Sequence, residues 1–459
     1  MNAKGMVELL VRSGHVVTEA GVLLQDVAVE DGVIAAIGHD VAEGGAAQVV
    51  DATGLMVLPG LVDAHVHFNE PGRAHWEGWE AGSRGAAAGG VTTVLEMPLN
   101  SSPPTTTRTH FEAKADAARR SAVVDYGLWG GFVEDNREHF DELRRRGAVG
   151  LKAFMCDSGI DDFPRVPDDL LAAGIIQASR LGLLVGVHAE DQSLMEALTR
   201  AVRESGRTDR RAWGESRPRS AETQGVAKVL DCLENAGQAA RLHVVHVSCN
   251  EALREIDSGK ARGLAVTAET CPHYLMFSDD DFERMGPVLK CAPPLRDTAG
   301  RDAMWSAVLD GRIDSIGSDH SPCPAEAKRK GEYDVWQAWG GISGIQATLP
   351  VMMTEGVHRR GLGWERLAEL TSTNPAKIFN LYPTKGAIRV GGDADLTLVD
   401  PDAEWTFSNA HLETKSGLSP YLGVRFRGAI VQTFVRGRVV YERGAIVADP
   451  GYGQMVRPR

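Results

Sequence analysis

From residue 56 to residue 319 the chain alternates short apolar runs with amphipathic stretches rich in alanine, glutamate and arginine. The runs read M-V-L-P-G-L-V-D-A-H, V-T-T-V-L-E-M, V-V-D-Y-G-L-W, V-G-L-K-A-F-M, L-L-V-G-V-H, L-H-V-V-H-V, G-L-A-V-T-A-E and I-D-S-I-G-S-D, eight in all. Helical spacers are predicted at 109–121, 139–146, 167–181, 220–236 and 250–260. Strands alternating with helices imply right-handed βαβ units on a parallel sheet. Eight such units predict an α/β fold, a closed (β/α)8 TIM-type barrel.

Both ends of the chain have a different texture. Residues 1–55 read as short strands broken by turns, and Asp31-Gly32 between two alternating apolar runs predicts a hairpin. After the eighth run, 322–344 reads as a long loop rich in charge, Trp and Gly, followed by helical segments at 345–358 and 364–379. From 384 to 459 the strand texture returns. The simplest organisation pairs the two ends, 1–55 and 384–459, in one small β-sandwich, with the barrel at 56–383 between them.

Composition narrows the function. A net charge of −13 over 459 residues opposes general affinity for nucleic acid or an anionic membrane. The start M-N-A-K-G-M-V-E-L-L-V-R has no apolar leader core, and no run reaches the roughly 20 residues that span a bilayer. A cytoplasmic protein is expected. The six cysteines include no C-x-x-C pair, as suits reduced thiols.

The chemistry lies at the strand ends, where barrels of this kind place their reactive residues. The first run carries D-A-H-V-H, and side chains two apart on a strand share a face, so His65 and His67 can reach one metal. Lys152, His188, His246 and Asp319 stand at the ends of four further runs. Each alone could be an ordinary capping or core residue, but their convergence makes that reading improbable.

Four imidazoles and a carboxylate suit Zn²⁺, with Mn²⁺, Co²⁺ or Fe²⁺ as alternatives. Six positions exceed one tetrahedral ion with an open site, so two cations are expected. An ammonium cannot ligate a metal. A buried Lys152 with a depressed pKa could instead take up CO2 as a carbamate, whose two oxygens can bridge two cations. Cys156 is read as packing or pocket wall, because a thiol nucleophile needs a base and the histidines are committed to metal. The glycine-rich W-G-G-I-S-G near Trp339 lacks a P-loop lysine and reads as an active-site loop.

D-A-H-V-H, G-L-K-A-F-M, G-V-H-A-E, V-V-H-V-S, E-T-C-P-H-Y-L, C-A-P-P-L-R-D and S-D-H-S-P-C together resemble the cyclic amidohydrolases of the urease-related superfamily, over nearly the whole chain. The resemblance implies a carboxylated Lys152 shared by two metals, with His65, His67 and Asp319 on one and His188 and His246 on the other. It also implies a homotetramer.

Dihydroorotase-like members carry an arginine where this chain has Asn69. Dihydropyrimidinases and hydantoinases carry a tyrosine where it has Asp157. The segments H-F-N-E-P-G, E-M-P-L-N-S-S-P-P-T-T and S-D-H-S-P-C-P resemble the subgroup that opens the hydantoin ring of allantoin to allantoate in purine catabolism. Hydantoinase or dihydropyrimidinase activity is the alternative. An inert scaffold relative would lose ligands, and all six are present.

On this reading a hydroxide bridging two cations attacks the ring amide, while Asp319 accepts a proton and delivers it to the leaving nitrogen. Asn100, Ser321 and Asn69 are candidate hydrogen-bonding contacts to the substrate. Asp157 is the candidate for the ureido group of allantoin.

Overall fold

The computed structural model describes residues 6–459, so the first five residues of the segments read for a leader and for the 1–55 strands lie outside it. The amino-terminal strands are β1 (Val7–Thr18), β2 (Gly21–Glu30), β3 (Val33–Gly38), β4 (Ala46–Asp51) and β5 (Met56–Pro59). The hairpin forms where Asp31-Gly32 predicts it: both residues have positive φ, 51° and 73°, as a tight turn between β2 and β3 requires.

The barrel strands follow as β6 (Leu61–Val66), β7 (Val91–Glu96), β8 (Asp125–Leu128), β9 (Gly130–Gly131), β10 (Leu151–Phe154), β11 (Val185–His188), β12 (Leu242–Val244), β13 (Val266–Thr270) and β14 (Ser315–Ile316). They pair in parallel, β6-β7-β8 and β9 through β14 in sequence order. β8 and β9 are one barrel position interrupted at Trp129, whose indole N–H turns inward to donate to the Ala64 carbonyl at 3.1 Å. A parallel bridge between Val66 and His320 joins the first position to the segment after the last and closes the ring.

The connecting helices form where the spacing of apolar residues requires. In Arg108–Ser121 the buried residues Phe111, Lys114, Ala117 and Ala118 lie on one stripe, and the Thr107 side chain caps the start by accepting from His110 N. Full burial of a side chain such as Phe111 contributes about 1.5 to 3 kcal/mol. Lys114 on that stripe is not an error of patterning. Its Nζ donates to Glu96 Oε1 at 3.2 Å and Met97 O at 2.6 Å, and Glu96 accepts from Phe68 N, so the helix braces the loop that follows the two β6 histidines.

The carboxy-terminal strands are β15 (Leu396–Thr406), β16 (Arg425–Val435), β17 (Arg438–Glu442) and β18 (Ala445–Ile446). They join β1–β5 in one nine-stranded sheet. The sheet curls so that Val33 of β3 bridges Asp393, enclosing a core that includes Val11, Val27, Val57, Leu396 and Phe434.

The expected start of the barrel at Met56 needs correction. β5 lies between β1, to which it is parallel, and β15, to which it is antiparallel, so it belongs to the terminal sheet. The chain crosses to the barrel at Pro59-Gly60. A side chain at Gly60 would come within 2.3 Å of Thr92, so the crossing fits only a glycine. Lys385 ties the two parts together by bonding Asp125 at 2.6 Å and Asp393 and Asp395 at 2.8 Å. No helix among the described residues is long and apolar enough to cross a membrane. All six cysteines are free.

Candidate metal centre

His65 sits one residue before the end of β6 and His67 just past it, Lys152 lies within β10 and His188 at the end of β11, while His246 and Asp319 follow β12 and β14 within a few residues. The fold therefore brings all six sequence-predicted ligands to the carboxy-terminal mouth of the barrel. His246 and Asp319 have φ of 40° and 44°. For residues with a Cβ this left-handed conformation costs about 1 to 2 kcal/mol, and backbone strain of this kind concentrates at functional sites.

The electrostatics of the first group point to a cation. His67 Nδ1 lies 2.6 Å from the Leu99 carbonyl, which can only accept, so Nδ1 carries the hydrogen. His65 Nδ1 lies 2.8 Å from Glu269 Oε1. Burial would raise Glu269, but His65 and His243 beside it bring its carboxyl down to about 2, so it is an ionised acceptor as well.

In the tautomers so fixed, both Nε2 atoms hold lone pairs, and each lies 3.3 Å from the same oxygen, Asp319 Oδ1. Three acceptors converge with no hydrogen among them. A divalent cation satisfies that arrangement, and His65, His67 and Asp319 form a buried group whose ligand atoms lie within 4.8 Å of one another.

The second group is built around nitrogens that the protein leaves without partners. His188 Nε2 donates to Glu190 Oε2 at 2.6 Å, and Arg217 donates to the same oxygen at 2.6 Å, which leaves the His188 Nδ1 lone pair free. The rings of His188 and His246 are 4.6 Å apart, and His246 Nδ1 is buried without a partner. Burial depresses both rings, His246 strongly, so both are neutral.

Lys152 Nζ is likewise buried and unpartnered, 4.8 Å from the Phe154 ring. Burial brings its amine down to about 8. An unmatched buried polar group costs about 1 to 3 kcal/mol. The set therefore fits a second divalent cation and a chemically modified Lys152.

A cleft of about 960 Å³ opens over these residues. Asn100 and Ser321 line it, joined by a 3.4 Å contact from Asn100 Nδ2 to Ser321 Oγ. Asp157 also lines it, exposed, with Oδ1 accepting from Gly159 N at 3.0 Å. Asn69 does not line it. It is fully buried at φ 67°, donating to Pro322 O and accepting from Asn100, so both ends of its amide are used inside the wall. Its expected substrate contact is corrected to a brace beneath Asn100.

The W-G-G loop does form cleft wall, at Trp339, Gly340 and Gly341. A side chain at Gly341 would come within 2.4 Å of the Ser321 carbonyl, which explains the glycine. Cys156 is buried, with Sγ within 4.8 Å of ligand atoms of His188 and Glu190. Burial pushes its thiol up to about 12, which removes a nucleophilic thiolate.

Sequence reading passed over Glu269 and Glu190, which orient His65 and His188, and Asp63, which accepts from His65 N and Ser318 N to tie the first barrel strand to the last. The available signal was a charged residue inside or just after an apolar run, in V-T-A-E-T and G-V-H-A-E. Glu269→Gln is expected to weaken metal binding about 10- to 100-fold by releasing the His65 ring. Titration against a competing chelator measures this, and wild-type affinity would remove the orienting role.

The amidohydrolase family model matches residues 56–440. The chain is 48% identical over 452 residues to an allantoinase of Rubrobacter xylanophilus, covering 98% of each. It is 44% identical over 454 residues to an allantoinase of Solibacter usitatus, covering 99% of this chain and 98% of the relative. Among solved structures, the L-hydantoinase (dihydropyrimidinase) from Arthrobacter aurescens matches with a TM-score of 0.96 at 36% identity, covering 98% of this chain and 100% of that one. With the histidines, lysine and aspartate of its barrel mouth in place, the chain belongs to the amidohydrolase family.

Proposed function

We propose that this chain is a cyclic amidase that hydrolyses the ring amide of allantoin to allantoate. The carrying observation is full-length identity of 41 to 48% to allantoinases, against 36% or less to the hydantoinase structures. The site supports it. Asn69 stands where an arginine would clamp a carboxylate and is turned into the wall, and Asp157 stands where a tyrosine would reach the scissile carbonyl.

His65, His67 and Asp319 would hold one divalent cation, His188 and His246 the other, with Lys152 carboxylated by CO2 and shared between them. Zinc suits this donor set, with manganese, cobalt or iron as alternatives. Cations bound there supply Lewis acidity to the ring carbonyl and lower the pKa of water.

The chain's own residues do the rest. Glu269 and the Leu99 carbonyl fix the rings of His65 and His67. Asn100 and Ser321 offer hydrogen bonds to the amide edge of the ring and hold it in register. Water adds to the ring carbonyl carbon and Asp319 accepts its proton. As the carbon–nitrogen bond breaks, the same proton passes to the departing nitrogen, leaving a carboxylic acid that releases its own proton to solvent as the carboxylate product. The reading carries a cytoplasmic homotetramer with it, for which light scattering checks the assembly.

The test is the initial rate on allantoin, hydantoin, dihydrouracil and dihydroorotate, with metallated protein in bicarbonate and a chelated control. Metal-dependent turnover at least about tenfold faster on allantoin is expected. Preference for hydantoin or dihydrouracil would transfer the assignment to the hydantoinase reading. For Asp157, an Asp157→Ala variant should lose rate selectively on allantoin, and equal loss on hydantoin would end its assignment to the ureido group.

A further inference from the structure

Lys290 lies between β13 and the helix Thr298–Leu309 and is 3% exposed. Its Nζ donates to the Val335 carbonyl at 2.8 Å and the Ala338 carbonyl at 2.7 Å. Its own carbonyl accepts from Gly341 N at 2.8 Å and from Lys328 Nζ at 3.2 Å. One residue thus grips the 335–341 segment at both ends. The Trp213 ring lies 4.1 Å from the Lys290 ammonium and is itself fixed by donation from Nε1 to the Cys291 carbonyl at 2.8 Å.

The gripped segment is a wall of the cleft, through Trp336, Trp339 and Gly341. Trp339 meets Trp76, from the loop after β6, edge to face at 4.8 Å between ring centres. Neither an apolar side chain nor a shorter polar one at 290 could reach both carbonyls. Burial, with Lys328 and Arg217 nearby, brings the Lys290 amine down to about 7, so retaining an amine here is costly.

We propose that Lys290 is a positioning residue for substrate binding: by donating to the Val335 and Ala338 carbonyls it holds the 335–341 segment, and Trp339 with it, against Trp76 in the cleft wall. It sets affinity without entering the chemistry. The inference rests on the cyclic amidase reading for its kinetic arm, and on backbone exchange for an arm independent of that reading.

The experiment compares wild type, Lys290→Met and Lys290→Arg as metallated full-length protein. In Lys290→Met, KM for allantoin should rise at least about tenfold on loss of two charge-assisted hydrogen bonds. Turnover kcat should change by less than about threefold, because groups made equally in ground and transition states act on KM. Metal content should be unchanged, and amide hydrogen exchange should quicken across 335–341. Lys290→Arg, which keeps its donors, should restore most of the KM.

Unchanged KM with unchanged exchange overturns the inference. So does a fall in kcat at constant KM and constant exchange, which would place Lys290 in the chemistry. If Lys290→Met does not fold, Lys290→Gln replaces it with the same two readouts. If wild type ignores allantoin and opens hydantoin, the substrate reading fails while exchange and KM on hydantoin still judge the latch.

Discussion

Asp319→Asn is expected to leave the fold intact and to lower turnover by at least about a thousandfold, or about 4 kcal/mol of barrier. The fold survives for a local reason. Asp319 has φ of 44°, and asparagine tolerates the left-handed region at least as well as aspartate. The amide is the same size as the carboxylate, so the 3.3 Å contacts to His65 and His67 can be kept.

What the substitution removes is charge. An amide cannot accept the proton of the attacking water, and it contributes no negative charge at the point where two histidine lone pairs converge. Two losses therefore coincide, in metal affinity and in proton transfer. Saturating metal separates them: it should restore occupancy but not rate. An Asn variant that keeps about a tenth or more of wild-type turnover at full occupancy would falsify the proton-carrying role.

Much of this site was legible in the sequence because its ligands lie in strands or just past their ends, where position in an apolar run translates directly into position in the barrel. His65 lies in β6 with His67 one residue past its end, and His188 ends its strand, so no tertiary information was needed to bring them to the mouth. The helices at 109–121 and 250–260 were legible for the same reason, since their buried stripes follow the helical period.

What was not legible depends on partners far apart in the chain. Glu269 orients His65 across 204 residues, and no local pattern distinguishes it from a solvated glutamate at a strand end. Asn69 reads as a loop residue free to meet a ligand, yet a positive φ and a carbonyl on the 322 segment turn its amide into the wall. Met56 to Pro59 reads as the start of the first barrel strand because it is equally apolar. Only the pairing with β1 and β15 shows that it serves the other sheet. In each case the partner that decides what the residue faces is distant in the chain, where no local pattern records it.

Lys152→Met offers the sharpest separation of stability from function. In metal-free, bicarbonate-free protein the variant is expected to melt higher than wild type by a few degrees, while with metal and bicarbonate it should show no turnover. Lys152 Nζ is fully buried and bonds nothing. Burial lowers the amine from 10.5 to about 8, a penalty on the order of 3 kcal/mol at neutral pH.

The sign follows from the two states. Below about pH 8 the folded protein must keep a charged amine in the core, or give up a proton that the unfolded chain would hold up to about 10.5, so the penalty is fully present there. It shrinks as pH rises through that window and vanishes above it. Methionine has nearly the same shape and no charge, so its advantage should be largest near pH 7 and fade toward pH 10.5.

Loss of the amine also removes the only group in the second cluster that could take up CO2, so no amount of bicarbonate should rescue catalysis. Two outcomes would count against this account. A metal-free variant that melts lower than wild type would mean that the amine has a stabilising partner. Turnover in the variant would mean that the two cations can be held by the histidines and Asp319 alone, with the lysine reduced to a residue that fills space.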